Sequence, residues 1–266
     1  MNLENARVLL TGASGGIGSQ IALELARSHA SLVLVDRHAE RLQQLAERVQ
    51  TEGGQAVVLP ADLTRTADRQ SLVEQMMRRL GGIDVLINNA GLLSFSPFEA
   101  EDPQALERLL TVNVVAPIAL TRALLPGMLQ QRHGRIVNVG STFGSIGFPY
   151  FASYSASKFA MRGFSEALRR ELDGSGVGVT YVAPRATRTA FNPGAVERMN
   201  AALKVAMDSP EQVGAAVVAA IRAERKDVYL GGPEAFFVRL NGLLPRLVDR
   251  ALGRQRREMQ KFVVQG

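Results

Sequence analysis

Two side chains four residues apart could move a proton. Tyr154 and Lys158 stand in the run Tyr154-Ser155-Ala156-Ser157-Lys158, and on a helix positions i and i+4 share a face. A free phenol titrates near 10 and is a poor base at neutral pH. A neighbouring ammonium favours the phenolate and is expected to bring the Tyr154 hydroxyl towards the working range. With four Tyr in the chain and four Lys, chance would supply such a pair roughly 0.06 times. Positions 136–157 carry no charged residue, so no nearby carboxylate in sequence neutralises the lysine. Ser141 precedes Tyr154 by 13 residues. Its hydroxyl could hold a substrate oxygen as charge develops there; taken alone, it could equally cap a turn. Asn113 sits among apolar residues in a helical stretch, where a buried amide needs partners.

A second constellation suits a phosphate. The run Thr11-Gly12-Ala13-Ser14-Gly15-Gly16-Ile17-Gly18 follows an apolar strand and precedes a helical pattern. Glycines there permit a tight turn and close backbone approach, and the helix start offers free N–H groups to a pyrophosphate. The expected contacts are Gly12, Ser14, Gly16, Ile17 and Gly18. The spacing is Gly-x-x-x-Gly-x-Gly, not the commoner Gly-x-Gly-x-x-Gly. Asp36 ends the next strand, 18 residues past Gly18. A carboxylate there can accept from ribose hydroxyls and would repel a 2′-phosphate, which favours NAD over NADP. Arg37 follows directly and could pair with that phosphate, so NADP stays open.

The elements that must position these groups alternate. Strand-like runs fall at 7–11, 31–36, 56–60, 85–88, 135–139, 178–182 and 227–230. Helical patterns fall at about 17–28, 39–52, 65–80, 103–131, 151–172 and 210–224. Fully apolar strands alternating with amphipathic helices specify an α/β fold: a doubly wound, Rossmann-type seven-stranded parallel sheet with helices on both faces. One domain is expected over 1–232, with a substrate-loop insertion at about 190–208. Residues 233–266 are expected to add a basic amphipathic helical tail to the same domain. In that tail Leu240, Leu243, Leu244, Leu247, Val248, Ala251 and Leu252 form one apolar helical stripe, flanked by Arg239, Arg246, Arg250 and Arg254.

Composition removes several classes. The 266 residues include no Cys, so a disulfide scaffold, a thiolate nucleophile and a Cys-ligated metal are excluded. His29, His38 and His133 lack metal-ligand spacing, and no metal is expected. The net charge is +6, and most basic residues lie beside Glu or Gln at helical spacing without interleaved aromatics, so nucleic-acid binding is not expected. The opening Met1-Asn2-Leu3-Glu4 has no basic-then-apolar leader, and no transmembrane span is expected; the expected location is cytoplasmic. The tail offers an alternative, contact with an anionic membrane surface.

In order along the chain, Thr11 to Gly18, Asn88-Asn89-Ala90-Gly91, Ser141 and Tyr154-x-x-x-Lys158 resemble the short-chain dehydrogenase/reductase family in its compact single-domain branch. The resemblance spans about 11–189. It implies an NAD(P)-dependent oxidoreductase interconverting a secondary alcohol and a ketone, without a metal. Asn113, Ser141, Tyr154 and Lys158 would be the catalytic set. Tyr154 would move the proton, Lys158 would tune it and hold the ribose, Ser141 would steady the oxygen, and Asn113 would serve a water-mediated relay behind Lys158. Asp62 and Leu63 would contact the adenine, and Asn89, Ala90 and Gly91 would line the adenosine side. Pro184, Thr187 and Thr189 would face the nicotinamide. Arg185 stands where the family usually has Gly, and it or Arg188 could meet the pyrophosphate or an anionic substrate. Helices 103–131 and 151–172 resemble those that pair subunits in this family, implying a homodimer or homotetramer.

The expected substrate wall holds Ser141, Phe143, Phe148, Tyr154 and Phe191, and its apolar character suggests a lipophilic small molecule. The rival classes are a non-catalytic cofactor-binding protein on the same fold and a membrane-surface or scaffold protein.

Overall fold

The structure is a computed structural model that describes residues 1–263, apart from the side chain of Arg254. Residues 264–266 of the expected tail, and the Arg254 side chain flanking its stripe, lie outside the described residues.

Seven strands form one parallel sheet: β1 Arg7–Thr11, β2 Ser31–Val35, β3 Gln55–Val58, β4 Val85–Asn88, β5 Gly134–Val139, β6 Val177–Ala183 and β7 Asp227–Tyr229. Their order is β3-β2-β1-β4-β5-β6-β7. Alternate residues of each central strand face opposite sides. On one side Val8, Leu10, Leu32, Leu34 and Val85 pack with Ile21, Leu42 and Val217. On the other, Leu9, Val33, Leu86 and Ile136 pack with Met76, Leu120 and Leu168. Both layers are buried, which is why these strands read as unbroken apolar runs. Each fully buried aliphatic side chain contributes about 1.5–3 kcal/mol.

Helices cover both layers: α1 Gly16–Ala26, α2 Ala39–Thr51 and α8 Pro210–Arg222 on the first; α3 Thr66–Leu80, α5 Ala116–Gln131 and α6 Ala152–Glu171 on the second. Their ends follow local chemistry. Gly81 closes α3 in the left-handed conformation, with φ 68°. Ser209 and Gln212 form a capping box at α8, with Pro210 in its first turn.

Three segments differ from expectation. The stretch 103–131 is not one uniform α-helix: α4 Pro103–Leu110 and α5 are joined by a π-helical turn, Thr111–Val115, around Asn113. By length and composition Pro103–Gln131 could cross a bilayer, contrary to the expectation of no such segment. Its apolar residues Leu109, Ala116, Leu120 and Leu124 are buried, and the core accounts for their character. The insertion after β6 contains a helix, α7 Gly194–Ala202. The tail is two helices, α9 Gly232–Leu243 and α10 Pro245–Val263, because Pro245 cannot extend the helix before it. The expected single stripe is split. Val248 is buried with Ile146 and Val238, and Leu240 and Leu252 pack beside them. Leu243, Leu244 and Leu247 point to solvent.

Candidate active site

Sheet order reverses between β1 and β4, and doubly wound sheets bind ligands at the carboxyl ends of strands flanking such a point. A cavity of about 790 Å³ opens there, within the range of ligand sites. Its walls include all the expected cofactor residues: Gly12, Ser14, Gly16, Ile17, Gly18, Asp36, Arg37, Asp62, Leu63, Asn89, Ala90, Gly91, Tyr154, Lys158, Pro184, Thr187 and Thr189. Ser141, Phe143 and Phe191 also line it. Phe148 stands one layer back, stacked on Phe143 with ring centroids 4.3 Å apart.

The glycine turn is built for close approach. Gly12 has φ 63°, and a Cβ there would lie 2.7 Å from Ala90 Cα; a Cβ on Gly18 would overlap the Gly12 carbonyl oxygen. Asn89 braces the turn from β4, donating its side-chain amide to the carbonyls of Thr11 (3.2 Å) and Gly12 (3.0 Å). The Thr11 hydroxyl accepts from the N–H groups of Asn89 and Ala90. Helix α1 then begins at Gly16, with no side-chain cap from Gly15 before it and no acid in its first turn, so its first N–H groups remain available to an anion. A cradle of glycines and free N–H groups fits a dinucleotide pyrophosphate.

Beside the end of β2, Asp36 and Asp62 share the cavity wall with Arg37, His38 and Arg41. The Asp36 carboxylate accepts from the Arg37 backbone N–H at 2.7 Å. The Arg37 side chain donates to His38 Nε2 at 3.1 Å. Thr64 holds Asp62 through its backbone and hydroxyl, which keeps that carboxyl below its ordinary range.

Helix α6 carries Tyr154 and Lys158, 7% and 5% exposed. The Lys158 ammonium lies 5.6 Å from the Tyr154 ring centroid and donates to the Val139 carbonyl at 3.2 Å. Burial pushes the Tyr154 hydroxyl up to about 12, an effect the nearby Ser141 hydroxyl opposes. Burial also pulls the Lys158 ammonium down to about 8. The hydroxyl therefore stands above its ordinary range, contrary to the expectation that the lysine brings it towards neutrality. Desolvation is the larger influence and exceeds the Ser141 hydrogen bond, while the Lys158 ammonium directs its proton at Val139.

Asn113 lies behind this wall, 2% exposed and fully bonded. Its Oδ1 accepts from Leu92 N–H (2.7 Å), and its Nδ2 donates to Leu92 O and Ser157 Oγ (both 2.9 Å). A methyl group added at Gly91 would stand 3.5 Å from Asn113 Oδ1 and 3.7 Å from Lys158 Nζ, so both groups flank one small space. The π-turn presents the amide there, in a helical irregularity frequent at functional sites.

Arg185 does not lie free for a phosphate. Its guanidinium grips Asp208 Oδ1 at 2.6 and 2.9 Å and reaches Glu234 at 3.3 Å. It thereby clamps the end of the 190–208 insertion to the start of α9. Arg188 donates to the Met207 carbonyl. The replacement of glycine thus serves the loop closure.

Sequence reasoning missed Tyr181. Its hydroxyl donates to the Ser141 carbonyl at 3.2 Å and lies 3.4 Å from the Ser141 N–H. A side chain at Gly140 would overlap its ring, and one at Gly144 its hydroxyl oxygen. The available signal was a tyrosine in a buried aliphatic strand, whose hydroxyl must find a partner. Arg108 and Asn200 at the apolar end of the cavity were also missed; nothing in their spacing marked them. That end is otherwise lined by Leu92, Phe143, Phe151, Phe191, Val196 and Met199. Among the described residues no cluster of His, Asp or Glu is suited to a metal.

Comparison with known proteins agrees with this geometry. A family model described as short chain dehydrogenase matches residues 6–200. A ketoacyl reductase, HetN, of Nostoc sp. is 37% identical over 227 residues, covering 85% of this chain and 78% of that protein. Estradiol 17-beta-dehydrogenase 11 of Homo sapiens is 32% identical over 242 residues, covering 90% and 79%. The solved structure of a short-chain dehydrogenase from Sphingobium yanoikuyae in complex with NADPH superposes with TM-score 0.78 at 32% identity, covering 92% of this chain and 95% of that one.

Proposed function

The chain belongs to the short-chain dehydrogenase family of NAD(P)-dependent oxidoreductases, and we propose that it interconverts a secondary alcohol and a ketone on an apolar substrate. One observation carries this reading: Tyr154 and Lys158, both buried, share one face of α6 where the polar and apolar halves of a single cavity meet, with Ser141 on the same wall.

Gly12, Ser14, Gly16, Ile17 and Gly18 would hold the pyrophosphate, and Asp36, Asp62 and Leu63 the adenosine. Thr187 and Thr189 would hold the nicotinamide end. When bound, the nicotinamide supplies the hydride donor or acceptor. The protein does the rest. The Ser141 hydroxyl donates to the substrate oxygen and fixes the reacting carbon. Tyr154 Oη gives its proton to that oxygen in ketone reduction and takes it back in alcohol oxidation. Lys158 Nζ, held by Val139 O, supports the phenolate whenever it is protonated. Asn113 keeps Leu92 and Ser157 in place beside the small space at Gly91, through which the proton would pass outward. Phe143, Phe151, Phe191, Val196 and Met199 exclude water and favour a lipophilic skeleton. The ketoacyl and estradiol named for the two relatives are of that kind.

NAD is favoured over NADP because the Asp36 carboxylate lies on the wall at the end of β2, where it would repel a 2′-phosphate. Arg37 and Arg41 beside it are the opposing influence. Titrating NADH and NADPH by cofactor fluorescence separates the two, and an Asp36→Ala variant should lose preference for NADH by tenfold or more, an effect of about 1.4 kcal/mol. The tyrosine role is tested by Tyr154→Phe, which should bind cofactor normally yet lose turnover by about 10²–10⁴-fold. Undiminished turnover would leave the protein a cofactor binder whose function does not run through Tyr154.

A further inference from the structure

Five of the large apolar side chains most open to solvent lie along α9 and into the start of α10: Phe236 (61% exposed), Phe237 (49%), Leu243 (80%), Leu244 (51%) and Leu247 (50%). The two phenylalanine rings pack edge to face, 5.8 Å apart. Monomeric proteins seldom expose so many large apolar side chains within one short segment, here 236–247, without a use. The corner where the two helices meet is also cationic. Arg239, Arg246 and Arg250 are exposed, and none forms an ion pair among the described residues. Asp249 is the only acid between 235 and 250. The opposite faces of both helices anchor the corner, with Val238 and Val248 buried on Ile146 and Asn241 donating to the Ser145 carbonyl at 2.9 Å. The apolar side chains outside that anchor are therefore surplus to the core.

We propose that this corner docks the protein on an anionic lipid bilayer. Phenylalanine and leucine enter the boundary of the acyl chains while the three guanidinium groups meet anionic headgroups, which is the pattern of an interfacial helix. A second copy of the chain is the poorer occupant. A two-fold contact places the same patch on both sides, and here that sets Arg239, Arg246 and Arg250 against themselves. Docking also aims the active site. The other end of α10 sends Met259 and Phe262 into the cluster of Phe151, Tyr154, Val196 and Met199, and Phe148 touches both this cluster and that of the anchor. The apolar end of the cavity is thus tied to the docked helix. The docking surface itself does not depend on the dehydrogenase reading.

The test is co-sedimentation of the full chain with vesicles of phosphatidylcholine, with and without phosphatidylserine. Binding should require the anionic lipid and weaken as salt is raised. Replacing the cations together (R239Q, R246Q, R250Q) should weaken it by about two orders of magnitude, at roughly fivefold for each. Replacing Phe236, Phe237 and Leu243 with Ser should abolish it. These side chains lie outside the core, and an unchanged NADH titration shows that each variant is folded. The proposal is overturned if the wild type sediments with neither vesicle, if both variants sediment as it does, or if light scattering shows a dimer that the serine substitutions dissociate.

Discussion

Lys158 is held where charge is unwelcome, so Lys158→Met should stabilise the protein while disabling it. Burial takes the lysine from its ordinary 10.5 to about 8. Below pH 8 the folded protein must keep a buried ammonium that the unfolded chain keeps in water. That costs stability corresponding to the pKa difference, roughly 3 kcal/mol. The penalty is complete below the folded pKa and fades between about 8 and 10.5, where the unfolded chain binds the extra proton and stability rises with pH. Methionine fills a similar volume without charge. It gives up the bond to the Val139 carbonyl, a loss of about 1 kcal/mol. The net expectation is a gain of about 2 kcal/mol near pH 7, or some 4–8 °C in Tm for a chain of this size. Near pH 10 the two proteins should be equally stable. Urea titration of the cofactor-free proteins at both pH values reads this directly. A variant that is no more stable than wild type near pH 7, or whose advantage does not change with pH, would refute the argument that burial suppresses this ammonium.

Gly18→Ala should lose about 1–3 kcal/mol of stability together with NADH binding, since the new methyl group meets the Gly12 carbonyl, which is backbone and cannot yield; thermal melts and fluorescence titration check both. Tyr181→Phe should leave NADH affinity unchanged and lower kcat about five- to tenfold, because one hydrogen bond of about 1 kcal/mol no longer holds the Ser141 segment. An equal loss of cofactor binding would assign Tyr181 a general structural role instead. Asn113→Ala should destabilise by about 1–3 kcal/mol, as it leaves the half-buried Leu92 N–H and C=O without partners, while the Ser157 hydroxyl still donates to the Tyr154 carbonyl.

What could be read from the sequence was whatever depended on local pattern. The strands β1, β4 and β5 are short apolar runs between turns. Tyr154 and Lys158 announce themselves by spacing, and the glycines by their place after β1. What escaped depends on contacts between distant segments. The π-turn at Asn113 is set by the Leu92 backbone 21 residues away. The partners of Arg185, Asp208 and Glu234, come from the far side of an insertion and from α9. Tyr181 shows its purpose only when β6 lies beside β5. The balance between Tyr154 and Lys158 depends on burial, which spacing does not report. Pro245 is visible in the sequence, yet the apolar spacing continues on both sides of it, and only the structure shows two helices.

The central claim is that this cavity passes hydride between a nicotinamide and a substrate carbon under the control of Tyr154. The direct measurement uses NADH deuterated at the transferring position, incubated with a series of lipophilic ketones and read by mass spectrometry of the products. The account predicts an alcohol carrying one deuterium at the former carbonyl carbon with the wild type, and product reduced by at least about a hundredfold with Tyr154→Phe. Labelled alcohol formed equally by both proteins would contradict the role of Tyr154. Binding of NADH with no labelled product from any ketone, and no NAD reduction by the corresponding alcohols, would contradict the oxidoreductase assignment of the site itself.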